Sequence, residues 1–283
     1  MRWVLQAVRW RQTLRANLAN VCMALVALLV TAPALAAPFE IAISPSRYEL
    51  SGKSAGRVGQ SLDIINVGRS ATEVSVRTLD WSYSTEGGVT YFDELLPNSC
   101  RPWVTLERKT VKIGAGSRAS FRFQVDIPAD APRGECRFML AIEGVEPAYN
   151  SLIQGGGASL SLPVSGRIAV AVYLSVNGAE SQLALTRVGV KEVNGKRTPV
   201  VTVINTGDAH GRLDGSLDAV DAKGVEFELV PEGTPVMPGQ TRTLPLSVKI
   251  EPNQKPPEVI YPIKSGGTLD WENGSFKVNA EFK

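Results

Sequence analysis

The chain has 283 residues, with 30 Lys+Arg against 28 Asp+Glu and one histidine. That length leaves room for two ordinary domains, each with its own core. The near-balanced charge gives no global electrostatic case for nucleic acid, and a lone imidazole cannot build a multi-histidine zinc centre.

The N-terminal stretch reads as a secretory signal peptide over residues 1–36. Arg2, Arg9, Arg11 and Arg15 lie in a long n-region, Met1 to Asn20, and no acid occurs before residue 37. An apolar run follows from Val21 to Val30, too short for a comfortable transmembrane helix. Ala34-Leu35-Ala36 supplies small residues at the two positions a signal peptidase inspects, so cleavage is expected before Ala37, with an uncleaved anchor as the competing reading. Without the leader the body carries 26 basic residues against 28 acidic ones. Cys22 leaves with the leader. Cys100 and Cys136 remain, an even pair in a chain bound for an oxidising compartment, and a structural disulfide is expected between them.

The body reads as strands throughout. The first is expected over Phe39 to Ile43, running on through Arg47-Tyr48-Glu49-Leu50. Ser61 to Asn66 and Thr72 to Trp81 follow, then a hairpin at Glu86-Gly87-Gly88. Pro102-Trp103-Val104, Lys109 to Ile113, the Phe121 strand and Arg137 to Glu143 come next. Glu146 to Gly157 is loop-like. Ala158 to Val176 is the most β-rich segment, with Leu160, Leu162, Val164, Ile168, Val170, Val172 and Leu174 on one parity. Pro163 has no amide donor and assigns that stretch to an edge or bulge; Gly166 marks a kink. Asn177 to Ser181 is the expected linker, dividing residues 37–176 from 182–283. Leu183 to Val193 and Pro199 to Asn205 form a hairpin around Asn194-Gly195. Leu213 to Val220, Gly224 to Val230, Thr241 to Ile250, Val259 to Leu269 and Ser275 to Phe282 complete the series. No amphipathic helix stands out.

One order of elements occurs twice. Ile65-Asn66-Val67-Gly68 and Ile204-Asn205-Thr206-Gly207 each end an apolar run in a turn. Five residues after Gly116 an alternation begins at Phe121, Phe123, Val125 and Ile127, closed by Pro128. Five after Gly239 another begins at Leu244, Leu246, Val248 and Ile250, closed by Pro252. Period-2 alternation marks strands with one buried face. The duplication predicts an all-β chain of two immunoglobulin-like β-sandwich domains in tandem.

Catalytic signatures are missing. His210 sits in a Gly/Asp-rich turn and reads as a solvated loop residue. There is no nucleophile elbow, and Gly155-Gly156-Gly157 lacks the Lys-Ser/Thr and helix of a phosphate loop. Asp93-Glu94, Glu226 and Glu228 read as surface charge. Trp81, Trp103 and Trp271 could form a sugar platform, although isolated tryptophans in sandwiches more often pack in cores or at edges. No enzyme activity, metal, cofactor or small-molecule substrate is expected.

Four local patterns resemble the PapD-like periplasmic chaperones of pilus and fimbria assembly: Ser46-Arg47-Tyr48-Glu49-Leu50-Ser51-Gly52, Leu62 to Gly68, Trp103 to Val125, and Leu160 to Tyr173. The likeness spans about Pro38 to Val176. It implies a periplasmic chaperone that donates an edge strand to incomplete immunoglobulin-like subunits, with pilus or fimbrial subunits as partners and an outer-membrane usher as a further candidate. By the same resemblance Arg47 and Arg167 would anchor the subunit's terminal carboxylate, and Leu160, Leu162 and Val164 would be the donor residues. Arg167 replaces the family's lysine, which a bidentate guanidinium tolerates. Pro163 is compatible with strand addition if its nitrogen faces away from the partner. For Arg47 and Arg167 the alternative is a surface ion pair with an acid of the same chain; for the three apolar residues it is ordinary core. Two other functions fit the same chain: an exported structural or adhesive sandwich of a surface assembly, and a carbohydrate-binding module built on Trp81 or Trp103.

Overall fold

The computed structural model describes residues 39–283 apart from 98, 146–148, 156–157, 165, 251 and 253–256. The leader and its expected cleavage site lie outside the described residues. What is described is β structure with a single short 3-10 turn at Arg101–Trp103. The first sandwich comprises β1 (Ile41–Ser44), β2 (Arg47–Gly52), β3 (Arg57–Asn66), β4 (Thr72–Tyr83), β5 (Val89–Phe92), β6 (Val104–Leu106), β7 (Thr110–Ile113), β8 (Arg118–Asp126), β9 (Gly134–Gly144), β10 (Tyr149–Gly155), β11 (Ala158–Val164) and β12 (Arg167–Val176).

One sheet runs β1-β3-β8-β6 and the facing sheet β2-β12-β9-β4-β5, with β7 also paired to β4. Their inner faces meet in a core of Leu62, Ile64, Phe121, Phe138, Leu140, Ile142 and Leu174, all fully buried. Each such side chain contributes roughly 1.5–3 kcal/mol of transfer free energy. All four residues of the Phe121–Ile127 alternation point into this core. Cys100 and Cys136 form the expected disulfide, with 5.9 Å between their Cα atoms.

Two expectations for the first sandwich are corrected here. The stretch from Phe39 to Leu50 is not one strand. At the cis Ser44–Pro45 bond the chain changes sheets: β1 pairs antiparallel with β3, and β2 pairs parallel with β12. A proline cannot donate to the ladder, and the sheet change falls where it stands. Residues 149–155, expected as loop, are strand β10, paired antiparallel with β11. Its partner is a later segment of the chain, so composition alone did not reveal it.

The second sandwich is one path of seven strands: β13 (Leu183–Val193), β14 (Lys196–Asn205), β15 (Asp214–Val220), β16 (Glu226–Pro231), β17 (Thr241–Val248), β18 (Ile263–Trp271) and β19 (Gly274–Phe282). They follow the order β13-β14-β17-β16-β15-β18-β19, and the two end strands come into contact. The core holds Leu213, Leu217, Leu229, Leu244, Leu246, Leu269 and Phe282. The second alternation is shorter than predicted: β17 stops at Val248, and Ile250 is exposed.

The repeated Ile-Asn-X-Gly motif has a physical basis. Asn66 and Asn205 are both buried, and each amide staples a turn. Asn66 donates through Nδ2 to the carbonyls of Ser70, Ile113 and Gly114, and its Oδ1 accepts from Gly68 N at 2.9 Å. Asn205 donates to the carbonyls of Ala209 and Val236, each at 2.8 Å, and accepts from Gln182 N and Gly207 N. Buried backbone groups of a loop must find such partners, and a short amide side chain can satisfy several at once.

The segment between β12 and β13, expected as linker, is tied down. Asn177, in the left-handed region, accepts from Ser54 N at 2.9 Å and donates to Ala131 O at 3.0 Å and Ser54 Oγ at 2.8 Å. Beyond it Asp208 takes the amide of Glu180 at 2.7 Å and pairs with Arg133. The linker backbone at Glu180 crosses so close to Gly207 that a Cβ there would collide with the Glu180 carbonyl.

Candidate functional site

The outer face of the β2-β12-β9-β4 sheet carries the two arginines singled out by the sequence. From Val170 onward the even residues of β12 enter the core, so Arg167, Ala169, Ala171 and Tyr173 lie on the other face. Arg47 pairs with Ala171 across the β2–β12 ladder and shares that face. Arg167 lies four residues before Ala171, about 13 Å along the strand at ~3.3 Å per residue. The two arginines therefore share a face without touching.

Both are half-exposed, and each already has a carboxylate of this chain. Arg47 Nε lies 2.8 Å from Glu49 Oε1. Arg167 pairs with Glu143, its neighbour across the β12–β9 ladder. Glu143 is also gripped by Arg77 of β4, at 3.0 and 3.2 Å. The Arg77 hydrogen bonds, outweighing burial, hold the Glu143 carboxyl below its usual range, and Arg167 adds to that pull. Arg77 reaches Asp93 as well. Neither Glu143 nor Arg77 stood out in the sequence, because the pairing depends on the register of β4, β9 and β12.

Immediately before β12 runs the β10–β11 hairpin. Its register sets Leu160 opposite Ile153, Leu162 opposite Ser151 and Val164 opposite Tyr149, with Pro163 opposite Asn150. The hairpin forms a two-stranded sheet of its own, hydrogen-bonded to neither sandwich sheet among the described residues. Gly166 separates it from β12, and the Phe39 ring lies where a Cβ on Gly166 would stand.

Between the sandwiches is a cleft of about 630 Å³ lined by Arg47, Glu49, His210, Arg212, Asp270 and Trp271. Its floor corrects the expectation for His210, which is not solvated. The His210 side chain is 9% exposed and bonded to Glu135, whose own side chain is 1% exposed. A Gly/Asp-rich turn gives no hint of this, because the partners come from the other sandwich. Beside it an apolar cluster of Leu79, Trp81, Met139, Ala141 and Tyr173 takes in Met237 from the second sandwich. Trp81 is buried between Tyr83 and Tyr173 and offers no open ring face. Trp103 packs against the first core, and Trp271 donates to the Ser181 carbonyl at 3.3 Å. Arg242 reaches across to the Thr85 carbonyl at 3.2 Å and lies over the Tyr83 ring, while Gln240 donates to the Tyr83 carbonyl at 2.7 Å.

No family model and no curated protein matches the chain. Among solved structures it is similar to the YadV chaperone, at 12% identity over 86% of this chain and 99% of that one, with a TM-score of 0.44. It is similar to the CupB2 chaperone of Pseudomonas aeruginosa, at 12% identity over 86% and 100%, with a TM-score of 0.44. It is similar, too, to a structure of the Salmonella enterica SafA pilin in complex with the SafB chaperone, at 14% identity over 87% and 98%, with a TM-score of 0.45.

Proposed function

We propose that this protein is a periplasmic chaperone of pilus or fimbrial subunits that binds an incomplete immunoglobulin-like partner by strand addition. The observation that carries the proposal is the β10–β11 hairpin. Strand β11 pairs with β10 alone among the described residues, which supports an edge open to a partner strand. Such an edge is a template that proteins blunt unless it serves a partner. Main-chain bonds along β11 would give affinity, and Leu160, Leu162 and Val164 would set the register. Arg167 opens the next strand and Arg47 lines the cleft; either guanidinium can take a carboxylate in bidentate fashion. In the free chain Glu49 and Glu143 occupy these groups, so an incoming carboxylate would exchange with an internal one.

The test is a pull-down of the mature protein from the periplasm of its own host, with mass spectrometry of what accompanies it. A stoichiometric, small, β-rich subunit is expected. Its affinity should fall at least about tenfold in Arg47→Ala/Arg167→Ala, because a hydrogen bond to a charged group is worth roughly 1.5–3 kcal/mol. A clean monomer from cells making the organelle, or undiminished binding by the double variant, would remove this mechanism.

A further inference from the structure

The chain's single histidine is buried where the two sandwiches meet. His210 follows β14 in the second sandwich, and its ring meets Glu135, Glu49 and Tyr173 of the first. From β9, the Glu135 carboxylate meets Nδ1, and the same oxygen accepts the His210 backbone amide at 2.9 Å. From β2, Glu49 Oε1 lies 3.8 Å from Nε2. From β12, the Tyr173 ring stacks on the imidazole at 3.9 Å between centroids.

Other charges stand around this core. Arg137 of β9 is 3.6 Å from the second Glu135 oxygen, and Arg47 pairs with Glu49. On the histidine's own segment, Arg212 lies 3.5 Å from Glu49 and bonds the Tyr173 hydroxyl at 3.2 Å. Asp208 is engaged by Arg133 from the first sandwich.

Ring chemistry decides what this arrangement wants. A neutral imidazole has one donor nitrogen and one acceptor, whereas a carboxylate only accepts. With a carboxylate at each nitrogen, the neutral ring must aim a lone pair at one of them. Only the imidazolium suits both, donating to Glu135 and attracting Glu49 across 3.8 Å as an ion pair.

From this geometry we infer that His210 is a proton-dependent latch between the sandwiches: protonated, it bridges Glu135 and Glu49, and its deprotonation loosens the junction and the cleft beside it. The direction of its titration agrees. Burial and the Arg212 charge pull the imidazole down, but Glu135 and Glu49 outweigh them, and the net shift is upward from the ordinary value of 6.5. A raised folded pKa means that the latch contributes fully at pH below about 6.5. The contribution is lost as pH rises through the folded value. The Arg133–Asp208 pair does not titrate in that window and holds a second point of attachment.

With one histidine in the sequence, the ring reports on itself. In protein purified without a histidine tag, NMR should show one imidazole Cε1–H resonance titrating above about 6.5, with a lower midpoint in Glu135→Gln. Hydrogen exchange, corrected for the intrinsic pH dependence of the amide rates, should show the Glu135 and His210 amides losing protection as pH passes that midpoint. In His210→Gln their protection should be low and insensitive to pH. A wild-type midpoint at or below the ordinary value would overturn the latch. So would junction protection that stays flat across the midpoint, and both of these readouts use the unmutated protein.

Discussion

Asn205 is where a single substitution should cost the second sandwich most for the fewest atoms removed. Asn205→Ala deletes four hydrogen bonds at a fully buried position. Their partners do not fare equally. The Val236 carbonyl keeps the Gly211 amide at 3.1 Å. The Ala209 carbonyl and the amides of Gln182 and Gly207 lose a partner. An orphaned buried polar group costs about 1–3 kcal/mol. Gln182 and Gly207 lie near enough to solvent for water to reach them, so the lower part of that range applies, and the sum is about 3 kcal/mol. Urea unfolding followed by tryptophan fluorescence would measure it as a lowered midpoint at unchanged slope. Asn66→Ala, which strips the equivalent hub from the first sandwich, should cost a similar amount. A loss below 1 kcal/mol at Asn205 would refute the reasoning, since the turn would then be held by its backbone alone.

Replacing both Cys100 and Cys136 by serine opens a loop of 36 residues, for which the chain-entropy model gives a loss of about 4 kcal/mol; unfolding with and without reductant should show the same difference in wild type. Glu49, held down to about 2 chiefly by its pairing with His210 and also by Arg47, contributes stability that is present above 4.5 and fades as pH falls toward 2. Glu49→Gln should therefore show a flatter acid limb than wild type, and superimposable limbs would exclude the contribution.

The sequence was most informative where interactions are local or periodic. Phe121, Phe123, Val125 and Ile127 announce their burial by alternation, and all four are core. Asn194-Gly195 gives its hairpin away, and the Asn66 and Asn205 repeats flag two turns built on one plan. Legibility fell wherever a residue's environment is set by distant chain. The break at Pro45 required knowing that β2 joins β12. Strand β10 required its partner. Glu143 and Arg77 matter only because β4, β9 and β12 align them. His210 looked like loop because the carboxylate that buries it is 75 residues away. The junction of the two sandwiches is the part least written in local pattern, being made of single contacts such as Met237 among Trp81 and Tyr173.

That junction also limits how far the chain can be divided. The sequence invites a cut at the linker, and Asn177 would leave the first sandwich with its last strand neatly tied to Ser54 and Ala131. The cut would nonetheless strip Met237, His210 and Arg242 from Leu79, Trp81, Tyr83, Met139 and Tyr173. A separated N-terminal half would carry a sticky aromatic face and the stranded acid Glu135 into water. The tandem is thus one unit of expression and purification, although it reads as two modules.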